Sequence, residues 1–186
     1  MTNVLIIDNG STLIDKLSAI VPATKTLCSW NDIPTVWDDF DLVVLSGSSR
    51  FPVYGNEDML KTEIQLIQQT TKPLIGICFG HELVAHSFGG ILTALPNPHV
   101  GITEVRVMSD HGMFRNKKTF EVYENHRFGV VETGNMLDTL AHTNHATAVI
   151  KHKTKQIYGF QFHPEHHVEQ QYGDEVFLQL VSSLIL

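Results

Sequence analysis

Cysteine is scarce in this chain: Cys28 and Cys78 are the two in 186 residues. Two thiols cannot build the disulfide scaffold of a small secreted domain, so a reduced, cytoplasmic setting is the simpler expectation. Positive charge is short as well. Thirteen Lys and Arg face twenty Asp and Glu, a formal net charge of −7, which argues against a broad surface for nucleic acid or anionic membrane. No apolar run approaches the roughly 20 residues that a membrane span needs. The opening MTNVLIIDNGSTLIDKL lacks the basic start of a signal peptide, and with no secretion expected the Asn9-Gly10-Ser11 sequon reads as incidental. What is present is ordinary core material: 42% hydrophobic and 18% charged residues. That composition and length fit one globular domain over 1–186.

Along the chain, VLIID (4–8) is a short buried-strand run closed by the turn pair Asn9-Gly10. FDLVVLSGSS (40–49) repeats the design, an apolar run followed by small residues. A helix is expected between them, from Thr12 to Val21. In MLKTEIQLIQQ (59–69), Leu60, Ile64 and Ile67 fall on one face of a second helix. KPLIGIC (72–78) is a third buried strand. Apolar strands separated by helices predict an α/β fold whose mainly parallel sheet is flanked by helices on both faces. From Gly89 the texture becomes alternating, and GGILTAL, GITEVRVM, KTFEVYENH and TLAHTNHATAVIKHK predict shorter, partly antiparallel strands. QIYGFQFHPE (156–165) returns to the core. Val176, Phe177, Leu180, Val181 and Leu184 then set a stripe on a closing helix. Cys28, in TKTLCSW, reads as a strand packing residue.

Three features carry chemistry. The first is GICFG (76–80), a Gly-x-Cys-x-Gly bend between a strand and a helix, the nucleophile-elbow pattern with cysteine in place of serine. Gly76 and Gly80 give the backbone room to reverse, and the helix N-terminus favours a thiolate at Cys78. The second is FQFHPE, where His163 and Glu165 stand two apart, the spacing that puts both on one side of a strand and lets the carboxylate fix the ring's tautomer. The third is LSGSS (45–49): backbone N–H groups of Gly47 or Ser48 could join that of Phe79 in receiving an oxyanion. Each has a plain structural reading when taken alone: a packed cysteine beside a glycine turn, a turn with a solvated carboxylate, and a polar capping loop. Their occurrence together in one domain favours a nucleophilic site. The HPEHH run (163–167) matches no zinc spacing, so neither metal nor cofactor is expected.

These residues resemble the class I (triad) glutamine amidotransferases, which share a Gly-x-Cys-x-Gly elbow and a late His-x-Glu. The resemblance covers nearly the whole chain, from IIDNG through LSGSS to residues 152–180, and is strongest to the stand-alone glutaminase subunits of archaeal-type GMP synthases. It implies a flavodoxin-like sheet with a small antiparallel extension. It also implies that Cys78 attacks the glutamine carboxamide, that His163 carries the proton to leaving ammonia, and that Glu165 orients His163, with Gly47, Ser48 and Phe79 around the oxyanion. Two positions depart from the family. Glu82 stands where relatives carry a substrate-holding Gln, and Ser48 stands where many carry Gly. The chain has neither a Walker-type loop nor a Ser-Gly-Gly-x-Asp-Ser signature, so a separate ATP-dependent synthetase subunit is the expected partner. The alternatives are a stand-alone γ-glutamyl hydrolase and a weakly catalytic regulatory subunit. Asn125-His126 lies roughly where relatives place a histidine loop near a partner.

Overall fold

The computed structural model describes residues 2–167 and 171–185. The first half of the chain forms β1 (Asn3–Asp8), α1 (Ile14–Ile20), β2 (Thr24–Ser29), β3 (Leu42–Leu45), α2 (Lys61–Gln69), β4 (Leu74–Ile77) and α3 (Phe79–Ser87). The second half forms β5 (Ile91–Val107), a 3-10 turn (Gly112–Phe114), β6 (Thr119–Glu132), β7 (Leu137–His142), β8 (Thr147–His152), β9 (Ile157–Phe160) and α4 (Gly173–Ile185). The strands make one sheet in the order β2-β1-β3-β4-β9-β8-β7-β5-β6. From β2 to β9 all pairings are parallel; from β9 to β6 all are antiparallel.

Burial explains the parallel half. β3, β4 and β9 are covered along their whole length, as are the four central residues of β1, so apolar side chains are needed on both faces. Period two sorts them. Val4, Ile6 and Val44 meet α1 and α4 through Leu17, Phe177 and Leu180. Leu5, Ile7 and Leu45 meet α2 and α3 through Leu66, Ile67 and Leu83. Phe160, Phe162 and Phe177 are fully buried, contributing on the order of 2–3 kcal/mol each. The α4 stripe holds as expected: Val176, Phe177, Leu180 and Val181 are buried, and Leu184 packs against the core edge.

The antiparallel half differs from expectation in strand length. GGILTAL and GITEVRVM do not form two short strands. They are two parts of β5, which at 17 residues is the longest strand described. Both parts pair with β6, and the register jumps from Ala94↔Phe128 to His99↔His126. Leu95–Pro98 therefore bulge out opposite Arg127 alone. Pro96 and Pro98 have no N–H for a ladder, which is why the chain bulges there without ending the strand. β7 and β8 form a hairpin closed by Thr143, whose N–H donates to the Ala146 carbonyl at 2.9 Å. Among the described residues, no helix is long and apolar enough to cross a membrane.

Candidate active site

The site lies where three neighbouring parallel strands end. β4 runs into Cys78, which has φ 51° and ψ −101°, a left-handed backbone that costs a non-glycine residue about 1–3 kcal/mol. Its N–H donates to the Phe160 carbonyl at 2.7 Å, tying the bend to β9. The flanking glycines are required sterically. A Cβ on Gly76 would lie 2.3 Å from the Gly80 carbonyl oxygen, and one on Gly80 would lie 2.7 Å from that of Leu45. Phe79 opens α3, is 3% exposed, and packs edge-on against Phe51.

β3 ends at the Ser46–Ser49 loop. A Cβ on Gly47 would lie 3.2 Å from His163 Cε1 and 3.6 Å from Cys78 Cβ, so Gly47 sits against both side chains. Ser48 lines the same cavity as Cys78, Phe79, Glu82 and His163, a space of about 690 Å³.

β9 ends at Phe160, earlier than the His-x-Glu spacing on a strand requires. His163 and Glu165 meet across a turn, closed by the His166 N–H donating to the His163 carbonyl at 3.1 Å. Pro164 has the fixed φ that suits the second position of such a turn. The outcome is the expected pair by another route: Glu165 Oε1 is 2.8 Å from His163 Nδ1, and Glu165 is only 2% exposed. With Nδ1 engaged, Nε2 is left to face the sulfur. Burial pulls the His163 pKa down, but the adjoining Cys78 sulfur and the Glu165 carboxylate outweigh it and hold it well above the ordinary histidine range. Burial pushes the Cys78 thiol up; His163 opposes this, while Glu82 and Glu165 add to it.

Glu82 is in the first turn of α3, yet its side chain does not serve the helix end alone. It is 5% exposed, lines the cavity, and accepts a hydrogen bond from Gln161 Nε2 at 3.2 Å. Burial raises its pKa to about 7 against the pull of Gln161, His126 and His163. Three further contributors lie outside the expected site residues. Gln161 stands 4.0 Å from the Cys78 sulfur; it precedes His163 by two in the same motif, and that spacing is the signal that could have found it. The Asn125 carbonyl accepts from the Cys78 thiol at 3.7 Å. His126 lines the cavity as well, with Nδ1 2.7 Å from the Phe128 carbonyl and Nε2 3.5 Å from Glu124. Of the histidine run, His166 packs at a tilt against the Tyr123 ring and His167 reaches Asp174. Among the described residues no three metal-ligating side chains converge.

Comparison with known proteins shows the family. The family model described as Glutamine amidotransferase class-I matches residues 5–182. The chain is 30% identical to the glutamine-hydrolyzing GMP synthase subunit of Methanocaldococcus jannaschii, covering 93% of each chain. It is 32% identical to the Thermoplasma acidophilum protein of the same name, over 97% of this chain and 92% of that one. A solved T. acidophilum structure, assigned to a GMP synthase subunit, superposes with a TM-score of 0.86 at 26% identity, over 98% of this chain and 93% of that one. The chain belongs to the class-I glutamine amidotransferase family.

Proposed function

We propose that this protein hydrolyses the side-chain amide of glutamine through a Cys78 thioester and delivers the ammonia to a separate ATP-dependent synthetase of the GMP synthase type. The observation that carries the reading is the strained elbow of Cys78, set beside a His163 already paired to Glu165. The Cys78 thiol gives its proton to His163, and the sulfur attacks the carboxamide carbon. The carbonyl electron pair becomes an oxyanion facing the N–H of Phe79 and the Gly47–Ser48 loop. As the C–N bond breaks, His163 returns the proton to the departing nitrogen, releasing ammonia and leaving a γ-glutamyl thioester. Water, deprotonated by His163, then cleaves the thioester; glutamate leaves and the thiol is restored. Glu165 keeps the proton on Nδ1 and supports the imidazolium. Glu82 meets the amino-acid end of the substrate, where an ionised carboxylate only accepts hydrogen bonds and repels the α-carboxylate that a neutral amide would hold.

The synthetase half of the reading rests on relatives that are named as GMP synthase subunits and share about 30% identity with this chain. Glu82 is the one feature that favours the second reading, a γ-glutamyl hydrolase acting alone. Incubation with glutamine and with γ-glutamyl peptides, followed by assay of ammonia and glutamate, separates the two. A glutamine-analogue diazo-ketone should label Cys78 and spare Cys28, whose thiol burial pushes up to about 11. Cys78→Ala should abolish turnover. Labelling of Cys28 alone, or full activity in the alanine variant, would overturn the assignment. Slow glutamine turnover that accelerates when the synthetase is added supports dependence on a partner. Turnover near ~10 per second by the chain alone would favour the independent hydrolase.

A further inference from the structure

A buried polar column stands behind the Ser46–Ser49 loop, and the reaction described above makes no use of it. Asn9, fully buried at the end of β1, donates through its backbone N–H to Ser46 Oγ at 2.9 Å. Its side-chain Nδ2 donates to Glu63 Oε1 of α2 at 3.0 Å and to the Ser46 carbonyl at 3.4 Å. Glu63 is 1% exposed and Ser46 fully buried. With an oxygen lone pair taken by Asn9, the Ser46 hydroxyl directs its own proton to the Gly47 carbonyl at 2.8 Å.

That last bond fixes a direction. In a trans peptide the carbonyl and the next residue's N–H point opposite ways, and no cis bond occurs among the described residues. Ser46 draws the Gly47 carbonyl towards the interior, so the Ser48 N–H turns to the other side, where Ser48 lines the cavity with Cys78 and Phe79. We infer that Ser46, clamped by Asn9 and Glu63, is a positioning residue that sets the Gly47–Ser48 peptide so that the Ser48 N–H, and not that of Gly47, joins Phe79 at the oxyanion. The inference rests on the amidase reading and deepens it. Burial lifts Glu63 to about 7 against the Asn9 hydrogen bond, and Oε1 can accept from Asn9 in either protonation state, so the column persists across neutral pH. It also gives the Asn9 side chain a structural task that leaves no access for glycosylation.

The test uses glutamate γ-semialdehyde. The Cys78 thiolate adds to its carbonyl carbon, an S–C bond forms, and the C=O electron pair becomes an oxyanion. In 15N-labelled wild-type protein, the amide protons of Ser48 and Phe79 should move downfield on saturation while that of Gly47 does not. Ser46→Ala should weaken aldehyde binding and lower kcat for glutamine by roughly 10–100-fold, with KM nearly unchanged. Alkylation of Cys78 by iodoacetamide, which forms no oxyanion, should keep its wild-type rate. Glu63→Gln, which retains the acceptor, should behave like the wild type. A Gly47 shift in place of Ser48, a Ser46→Ala protein equal to wild type, or a parallel loss of iodoacetamide reactivity overturns the inference alone. If Ser46→Ala does not fold, the wild-type amide shifts decide. A wild type in which neither the aldehyde, supplied in excess because most of it closes to a cyclic imine in neutral water, nor the glutamine-analogue diazo-ketone modifies Cys78 overturns the amidase reading, and this inference with it.

Discussion

The two halves of the sheet divide the work. Apart from its edge strand β2, the parallel half is buried on both faces, and the ends of β3, β4 and β9 bring together Gly47, Cys78 and Gln161–His163. In the antiparallel half, β8 is still buried on both faces, but the β5–β6 ribbon leaves one face open. Along β5 the side chains of Val100 and Ile102 stand 61% and 46% exposed, and the bulge at Leu95–Pro98 turns the strand towards the cavity. From β6, the Asn125 carbonyl reaches the sulfur and the His126 ring lines the same cavity. Neighbouring parallel strands all end on one side with their loops adjacent, so they can assemble reacting groups to within hydrogen-bond distance. An antiparallel ribbon offers a wall that a bulge can reshape without disturbing them.

Glu165→Gln tests that division most severely. The amide keeps the shape of the side chain but can present the wrong atom to Nδ1, and kcat should fall on the order of 10³-fold with little change in fold or KM. A small loss would mean that the His163–Glu165 pair is structural. Gly76→Ala comes next. The added Cβ runs into the Gly80 and His81 backbone across the elbow, so stability should drop by about 3 kcal/mol in chemical denaturation. Activity should drop at least ~100-fold as the sulfur is displaced. Tolerance of alanine there would show that the elbow is loose and that the parallel half does not fix the sulfur.

Glu82→Gln probes the boundary between the halves, because Glu82 accepts a hydrogen bond from Gln161 of one and lines the cavity with His126 of the other. Its folded pKa is raised from 4.5 to about 7, so the folded state holds the proton more tightly than the unfolded chain. The stability this brings is complete below about pH 4.5, declines as pH rises to about 7, and is constant above that. Replacing Glu82 with Gln removes this dependence. Relative to pH 4, the variant should gain up to about 3 kcal/mol over the wild type by pH 8. Its KM for glutamine should fall roughly 3–10-fold, the value of one recovered hydrogen bond. Lost activity with retained folding would point to a substrate that needs the carboxylate. The smallest effect is expected for Ile102→Ser on the open face of β5: stability within about 0.5 kcal/mol and unchanged glutamine hydrolysis by the chain alone. A large loss there would make the ribbon more than a wall.

Much of this is legible in the sequence, for a physical reason. Strands buried on both faces need unbroken apolar runs, so VLIID, DLVVL and KPLIGI announce themselves, as does the α4 stripe. The elbow is legible because backbone collisions leave no substitute for Gly76 and Gly80. The β5 ribbon escapes such reading because a four-residue bulge and a turn use the same residues, Leu95-Pro96-Asn97-Pro98, and only the partner strand distinguishes them. The His163–Glu165 pair is legible in outcome but not in path, since a turn through Pro164 brings the two together as a strand would.

The sequence by itself determined the residue types and local geometry of the reactive groups: a cysteine at a bend before a helix, a histidine with a glutamate two positions on, and a small-residue loop after a buried strand. These follow from short-range rules of sterics and periodicity that act within a few residues. Tertiary structure alone decided what those groups meet. The sheet order sets β3, β4 and β9 side by side although they lie far apart in the chain. It places Gln161 between Cys78 and Glu82, and it packs Asn9 and Glu63 behind Ser46. Whether Glu82 faces water or a buried amide depends on a strand some 80 residues away, and burial is what moves its pKa. No local pattern carries that information, because desolvation is a property of the surroundings and not of the residue.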